Sequence, residues 1–299
     1  MSAARHTGKT STPKDGVPGQ FRRILLALDA TADDPAGLDA LASLAARLQA
    51  EVHGLTVEDA EELDLADHPG VRFVSRVSTT VVRMERGVVE RSQRHRAETS
   101  RRTLAGVMAA HRVKASFEVR RGPVADEVIA QAEDADLIVL GWGSGGFAVR
   151  VPGRPGRIAC AVAERSQRPV LLLHPGSPAG GPMLLAYDGT PAGEKALDAA
   201  IEIARSRDGH AGSPVAVALL TARLSDAEAW RTDVAARLAT HGITSRFLHF
   251  PGAAAADLIA AARQSGAALM VFGVEGPSCC GGEVRAVLDR AGCSVLLVR

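Results

Sequence analysis

The amino-acid sequence predicts an α/β fold made of two repeated domains, each a Rossmann-like open sheet of five parallel strands flanked by helices. Short apolar runs alternate with segments of helical periodicity, and this order is typical of βαβ units with right-handed crossovers. The whole pattern then begins again after a Pro- and Gly-rich stretch at residues 175–182. We therefore expect an internal repeat, with domains at residues 21–174 and 183–299 joined by that linker.

The first domain opens on an apolar strand that ends in Asp29, followed by a helix with leucines on one face. After the second strand we expect an irregular acidic segment at 58–70, and then mainly one long amphipathic helix at 71–111. A Gly-rich loop follows the fourth strand. The predicted strands lie at 22–29, 52–57, 115–119, 137–140 and from Val170, with further helices at 124–132 and from about Ile158.

The second domain repeats this order. Its opening strand also ends in an aspartate, Asp188, and a helix follows it directly. The interval from Gly156 to Pro169 equals the interval from Gly281 to Ser294, and each fits one short helix and a turn. The predicted strands lie at 183–188, 215–220, 244–250, 268–272 and 293–298, and the helices at 191–204, 225–240 and 253–263.

The composition argues against several classes of partner. The net charge is about +1 with both signs mixed along the chain, so no global field favours nucleic acid or an anionic membrane. No apolar run approaches the roughly 20 residues that span a bilayer. We therefore expect a soluble protein without a membrane or nucleic-acid partner.

The cysteines and the first residues indicate the compartment. Cys160, Cys279, Cys280 and Cys293 lack the spacing of a metal site, and the N-terminus lacks the apolar core of a signal peptide. We expect a cytoplasmic protein in which Cys279 and Cys280 are unreactive loop thiols. Residues 1–20 are polar and rich in Gly, Pro and Ser, which predicts a disordered leader.

The segment at 71–111 is dense in arginine. A basic stripe can bind nucleic acid, but Glu85, Glu90 and Glu98 are interspersed with the arginines. Because opposite charges four residues apart pair along a helix, we favour a solvated helix face with i,i+4 ion pairs.

The Gly-rich loop after the fourth strand is a candidate phosphate site, because backbone N–H groups that lead into a helix N-terminus can hold an anion. Gly141, Gly143 and Gly146 also fit the fingerprint of a dinucleotide-binding protein. That fingerprint requires a helix to open directly at the glycines, and Pro152 and Pro155 prevent one there. The sequence therefore argues against a dehydrogenase.

Several motifs resemble the universal stress protein family. They are the opening strands Ile24-Leu-Leu-Ala-Leu-Asp29 and Met183-Leu-Leu-Ala-Tyr-Asp188, the pair Gly122-Pro123, the strand Asp136-Leu-Ile-Val-Leu-Gly141, and Gly143, Gly146 and Gly156 in the spacing Gly-x2-Gly-x9-Gly. On these residues the chain is similar to the tandem members of the family. The resemblance covers nearly all of 21–299 except the Arg-rich part, 71–102.

The resemblance implies an ATP site, with magnesium, in the first domain. Gly143, Gly146 and Gly156 would cradle the phosphates, Asp29 would lie at the pocket, and the backbone near Val57 would hold the adenine. The family has a hydroxyl residue after the third glycine, and this chain has Arg157 there. An arginine offers a positive charge and can donate two parallel hydrogen bonds to a phosphate instead. The loop also begins two residues later than the family pattern.

The second domain departs further from the pattern. Its loop is five residues shorter, and Glu275 and Glu283 place negative charge where phosphate would lie. We expect this domain to bind no ATP and to complete an intrachain pseudo-dimer. Asp188 is expected to cap the loop or helix that follows it.

Two functions remain open. One is a stress-response regulator that binds an adenine nucleotide and changes the surface it offers to a partner. The other is a scaffold that binds no nucleotide and acts through an unknown protein partner, with the strands at 170–173 and 295–298 packing the halves together. No catalytic residues or metal ligands are predicted, slow ATP hydrolysis is the most that we expect, and homodimerisation is left open.

Overall fold

The computed structural model describes residues 21–28, 35–68, 72–74, 81–83, 85–142, 155–175, 177, 181–206, 214–252, 255–275 and 283–299.

The first half of the chain contains seven strands and five α-helices within the described residues. The strands are β1 (Arg23–Ala27), β2 (Glu51–Asp59), β3 (Arg72–Val74), β4 (Val81–Arg83), β5 (Ala115–Gly122), β6 (Leu137–Gly141) and β7 (Val170–Leu173). The helices are α1 (Pro35–Leu48), α2 (Ala60–Asp67), α3 (Arg86–Ala110), α4 (Val124–Gln131) and α5 (Arg157–Arg165).

The described part of the second half contributes five strands and four helices. The strands are β8 (Met183–Tyr187), β9 (Val215–Leu220), β10 (Ser245–Phe250), β11 (Leu269–Gly273) and β12 (Ser294–Val298). The helices are α6 (Pro191–Arg205), α7 (Leu224–Thr240), α8 (Ala255–Ser265) and α9 (Glu283–Leu288).

Each half has the predicted open parallel sheet. The strand order is β5-β2-β1-β6-β7 in the first half and β10-β9-β8-β11-β12 in the second, and all neighbours within a half are parallel. Central strands such as β8 are buried along their whole length, as expected when helices cover both faces of a parallel sheet.

The two sheets are joined edge to edge into one ten-stranded sheet. β7 and β12 pair antiparallel, with Leu171 opposite Leu296. The prediction that these strands pack the halves together is confirmed. Beside this pair, the guanidinium of Arg299 donates to the carbonyl oxygens of Ala163 and Glu164 at 2.8 and 2.6 Å, so it caps the C-terminal end of α5.

The apolar core also runs across both halves. One cluster lies on the sheet face covered by α1, α3, α6 and α7, and it includes Leu41 and Leu197. A second cluster lies on the face covered by α4, α5, α8 and α9, and it includes Val162 and Leu288. Since each cluster contains side chains from both halves, the halves share their core.

The segment between β2 and β5 differs from our expectation. Residues 58–70 were expected to be irregular, yet α2 forms there, with Asp59 as its N-cap and two glutamates in its first turn, where the helix dipole favours them. The long helix begins at Arg86 rather than near residue 71, because β3 and β4 form a separate antiparallel pair before it.

No helix within the described residues is long and apolar enough to cross a membrane.

Candidate functional site

A cleft opens at the carboxyl ends of β1, β2 and β6. From β1 the sheet continues to β2 on one side and to β6 on the other, so the direction of winding reverses here. Ligands of open α/β sheets bind in the crevice at such a switch point. The cleft has a volume of about 650 Å³, including space that is open to solvent.

One wall of the cleft is apolar. It consists of residues at the ends of the strands and of residues from α4 and α5, and several of them belong to the core cluster on that face. Such a surface suits the flat, apolar faces of a ring system. These residues are Ala27, Leu28, Leu55, Val57, Val124, Val128, Leu140 and Ile158.

The opposite wall is polar and comes mainly from α3, with Thr56 of β2 and Glu62 of α2. The buried residues of this helix are spaced three or four apart, which is the spacing of one helix face. Leu104 lies over Gly54 of β2, where an added Cβ would come within 2.3 Å of the leucine side chain. Thr56 follows on the same face of the strand, since side chains alternate. Gln93 and Ser100, on the buried face of α3, line the cleft with it.

The side chain of Gln93 is held in one orientation. Its Nε2 donates to Oε2 of Glu62 at 2.5 Å and to the carbonyl oxygen of Asp59 at 3.1 Å. The guanidinium of Arg96 donates to both oxygens of Glu62, at 2.9 and 3.1 Å. The carboxylate of Glu62 is therefore paired although only 6% of the residue is exposed, as a buried charge requires.

Two polar atoms in this wall are left without a partner. Oγ1 of Thr56 and Oε1 of Gln93 are buried and form no hydrogen bond with any described residue. The residues are 7% and 4% exposed, respectively. Buried polar atoms in native proteins are nearly always bonded to protein, water or a ligand, so both atoms require an explanation.

Asp59 joins β2 to α2 at the edge of the cleft. Its Oδ1 accepts a hydrogen bond from the backbone N–H of Glu61 at 2.9 Å and so caps the helix. Burial raises the pKa of Asp59 above its ordinary value, against the lowering effect of this hydrogen bond.

The structure places three of the six predicted site residues. Val57 lines the cleft. Gly156 is the N-cap of α5 and donates its N–H to the carbonyl oxygen of Trp142 at 2.9 Å. Arg157 begins α5, and its Nη2 lies 2.9 Å from Oε2 of Glu61 on α2. The arginine predicted to bind phosphate is thus paired with a carboxylate at the rim.

The other three predicted site residues, Asp29, Gly143 and Gly146, lie outside the described residues. So do Cys279 and Cys280, the leader at 1–20, and Gly276, Gly281 and Gly282 of the second, shorter loop. Within the part of the chain that the structure describes, no group of three His, Cys, Asp or Glu side chains could hold a metal ion.

The polar wall formed by Thr56, Glu62, Gln93, Arg96 and Ser100 was not predicted from the sequence. The sequence predicts mainly an amphipathic helix at 71–111 with a solvated, ion-paired face, and this prediction gives no role to the uncharged polar residues of the helix. A signal was present, because Gln93 and Ser100 occupy the same helical face as Leu104, where apolar residues are expected.

The exposed face of α3 agrees with the prediction of a solvated helix with ion pairs. Arg86 lies 3.5 Å from Glu90, one turn later. Glu98 pairs with Arg101 at 2.9 Å and with Arg102 at 2.7 Å. Hydrogen bonds from Arg101 and then Arg102 lower the pKa of Glu98 to about 2.

In the second half, the same end of the sheet is occupied by side chains that bond to one another. The Tyr187 hydroxyl donates to Glu194, which also accepts from Arg237. The ring of Trp230 packs edge-on against Tyr187, with 5.6 Å between centroids. Asp188 accepts from the backbone N–H and hydroxyl of Thr190, at 3.1 and 2.7 Å, and so holds the loop as predicted.

The fold is that of a doubly wound α/β protein, and a cleft lies at the switch point of its first half. The model of the universal stress protein family matches residues 20–174, more than half of the chain, and the chain belongs to that family.

The structural similarity extends over the second half as well. A universal stress protein from Archaeoglobus fulgidus DSM 4304 has a TM-score of 0.69 at 16% sequence identity, over 93% of this chain and 96% of that one. A functionally unknown protein from Pseudomonas aeruginosa PAO1 has a TM-score of 0.56 at 17% identity, over 93% and 92% of the two chains. At these identities the similarity establishes the fold alone. No curated protein matches the chain.

Proposed function

We propose that this chain is a stress-response regulator that binds an adenine nucleotide, ATP with Mg²⁺, in the cleft of its first half. The observation that carries the proposal is the position of the cleft, at the switch point of the sheet and beside the N-terminus of α5. Such a position supplies an apolar slot for a base and, next to it, backbone N–H groups and a helix dipole for phosphate.

The roles of the residues follow from this placement. The backbone near Val57 holds the base at the end of β2, and the phosphates lie against Gly143, Gly146 and Gly156, with Asp29 at the pocket. Arg157 must exchange Glu61 for phosphate when the nucleotide enters. That exchange releases α2 from α5 and changes the surface offered to a protein partner.

The first test is to denature freshly purified protein, identify any released nucleotide by chromatography, and titrate nucleotide-free protein with ATP and Mg²⁺ by calorimetry. The substitution Gly156→Asp places a carboxylate at the N-cap of α5, where it takes up the helix N–H groups and repels phosphate, and it should abolish binding. Gly252→Asp is the matched control, because it adds the same charge in the second half at a position with open space around it. Binding that survives Gly156→Asp would refute the phosphate site.

One observation favours the alternative, a scaffold that binds no nucleotide. The pair between Arg157 and Glu61 places a carboxylate beside the predicted phosphate site, and Asp59 lies nearby. If the parent protein releases no nucleotide and gives no heat with ATP and Mg²⁺, the scaffold becomes the working hypothesis. Homodimerisation and an unidentified protein partner then become the first properties to measure.

A further inference from the structure

Two buried atoms in the polar wall have no hydrogen-bond partner, and they indicate which polar groups a ligand of the cleft should carry. Gln93 and Thr56 are each more than nine-tenths buried and line the same cleft, Gln93 from α3 and Thr56 from β2. Neither Oε1 of Gln93 nor Oγ1 of Thr56 has a hydrogen-bond partner among the described residues. A ligand that enters the cleft can supply these partners.

The chemistry of Gln93 is defined by its surroundings. Glu62 Oε2 and the carbonyl oxygen of Asp59 can only accept hydrogen bonds, and both lie against the same end of the Gln93 amide. The NH₂ group of Gln93 must therefore face these two oxygens. If the amide were flipped, Oε1 of Gln93 would face two acceptors that have no hydrogen to donate. Oε1 of Gln93 is consequently a hydrogen-bond acceptor without a donor among the described residues.

The position of this acceptor in the cleft narrows the choice of ligand. The wall opposite is apolar, and it includes Val57 and Ile158, which suit the face of a planar ring. A ring bound there brings its edge to Gln93 and Thr56. An edge that carries an amino group satisfies Oε1, whereas an edge that carries an oxo group places oxygen against oxygen. The Thr56 hydroxyl can donate or accept, so it adapts to the ring nitrogen beside that group.

We propose that Gln93, supported by Thr56, selects a purine with a 6-amino group over one with a 6-oxo group. The inference rests on the proposed function, since it assumes that a nucleotide occupies the cleft. It goes further by assigning the choice of base to side chains of β2 and α3. Glu62 and Arg96 act as positioning residues, because their hydrogen bonds fix the NH₂ group of the Gln93 amide and leave Oε1 as the unpaired acceptor.

The test compares the dissociation constants of ATP and of inosine triphosphate, which differ at position 6 of the base, by calorimetry with Mg²⁺. The parent protein should bind ATP at least about tenfold more tightly, because a site with an unpaired polar group rejects a ligand that cannot satisfy it. Gln93→Met removes the acceptor at nearly constant volume and should weaken ATP binding about tenfold without weakening inosine triphosphate binding. Thr56→Val should reduce the preference in part.

Thr103→Val is the matched control, because it changes a hydroxyl on the same helix, α3, at a position that is not among the described residues lining the cleft. It should leave the ratio of the two dissociation constants unchanged. The parent protein alone already tests the inference. If it binds ATP and inosine triphosphate equally, Gln93 Oε1 and Thr56 Oγ1 bind water instead of the base, and the inference is wrong. The proposed function is unaffected by that result. The inference is also wrong if Gln93→Met weakens the binding of both nucleotides equally. If the parent binds neither nucleotide, the proposed function and this inference both fail.

Discussion

At the scale of single residues, Glu202 on α6 shows how the contact between the halves depends on one carboxyl group. Its Oε1 accepts a hydrogen bond from the backbone N–H of Phe21 at 2.8 Å, while its Oε2 is buried and finds no partner among the described residues. Burial raises the pKa of Glu202 to about 7, and the nearby Asp136 adds to this, against the lowering effects of the Phe21 N–H, Arg22 and Arg205.

The raised pKa predicts how stability changes with pH. The ordinary pKa of this group is 4.5, so the folded state holds the proton more tightly than the unfolded state between pH 4.5 and about 7. The contribution of Glu202 to stability therefore falls as the pH rises through that window and stays low above it. Glu202→Gln should be more stable than the parent at pH 8 by about 1 kcal/mol, a value discounted for the part-exposed carboxyl.

Thermal unfolding at pH 8 and at pH 4.5 checks this prediction, because the difference in midpoint should be present at the higher pH and close to zero at the lower one. Glu228→Gln, at an exposed position on α7, is the matched control and should leave the midpoint unchanged at both values. An equal shift at both pH values would show that the substitution acts through packing and not through ionisation.

At the scale of elements, α2 carries two neighbouring glutamates that have different partners. Glu62 points inward and holds Gln93 and Arg96, whereas Glu61 lies at the rim and pairs with Arg157 at the start of α5. The rim pair is exposed, with 68% and 58% of the two side chains accessible, so it contributes little to stability. Its effect should be on ligand binding.

The rim pair predicts a coupled effect of two substitutions on nucleotide affinity. Glu61→Gln frees Arg157 and should tighten ATP binding about threefold, while Arg157→Gln should weaken it about tenfold. Once Arg157 is absent, Glu61→Gln should have little further effect, because the two residues act through one contact. Calorimetric titration of the two single variants and the double variant gives the coupling. If Glu61→Gln tightens ATP binding just as much in the absence of Arg157, the charge of Glu61 repels the phosphate directly. The proposal that Arg157 exchanges Glu61 for phosphate is then wrong.

At the scale of the whole molecule, the pairing of β7 with β12 makes one folding unit from two repeats. Leu296 is fully buried at this junction and belongs to the core cluster that spans both halves. Because the halves share a sheet and two apolar clusters, loss of packing at the junction should weaken both of them.

The sequence contains two tryptophans, Trp142 in the first half and Trp230 in the second, so each half has its own fluorescent probe. In the Trp230→Phe and Trp142→Phe backgrounds, urea unfolding followed by the remaining tryptophan should have the same midpoint as unfolding of that variant followed by circular dichroism. Leu296→Ala should lower both midpoints together, with a loss of about 2 to 5 kcal/mol, which is typical of a cavity left by a buried leucine. Leu224→Ala is the control, because Leu224 is 68% exposed. A shift in the second half alone would show that the repeats unfold independently.

Much of the fold could be predicted because the signals are local. The strands of both repeats follow from short apolar runs, and α1 follows from the spacing of Leu38, Leu41 and Leu48 along one face. The segment between β2 and β5 was harder to predict. Its helix α2 is short and acidic, and the hairpin of β3 and β4 has three residues in each strand, too few to show a period.

Three features are encoded locally, because each depends on residues that are close together in the chain. They are the alternation of strands and helices, the repeat, and the loop that leads to Gly156. The contact of Arg157 with Glu61, which is 96 positions away, and the pairing of β7 with β12 exist only in the folded molecule. The same holds for the placement of Gln93 and Thr56 in one cleft. Such contacts arise when distant elements pack against one another, and no local periodicity encodes which side chains then meet.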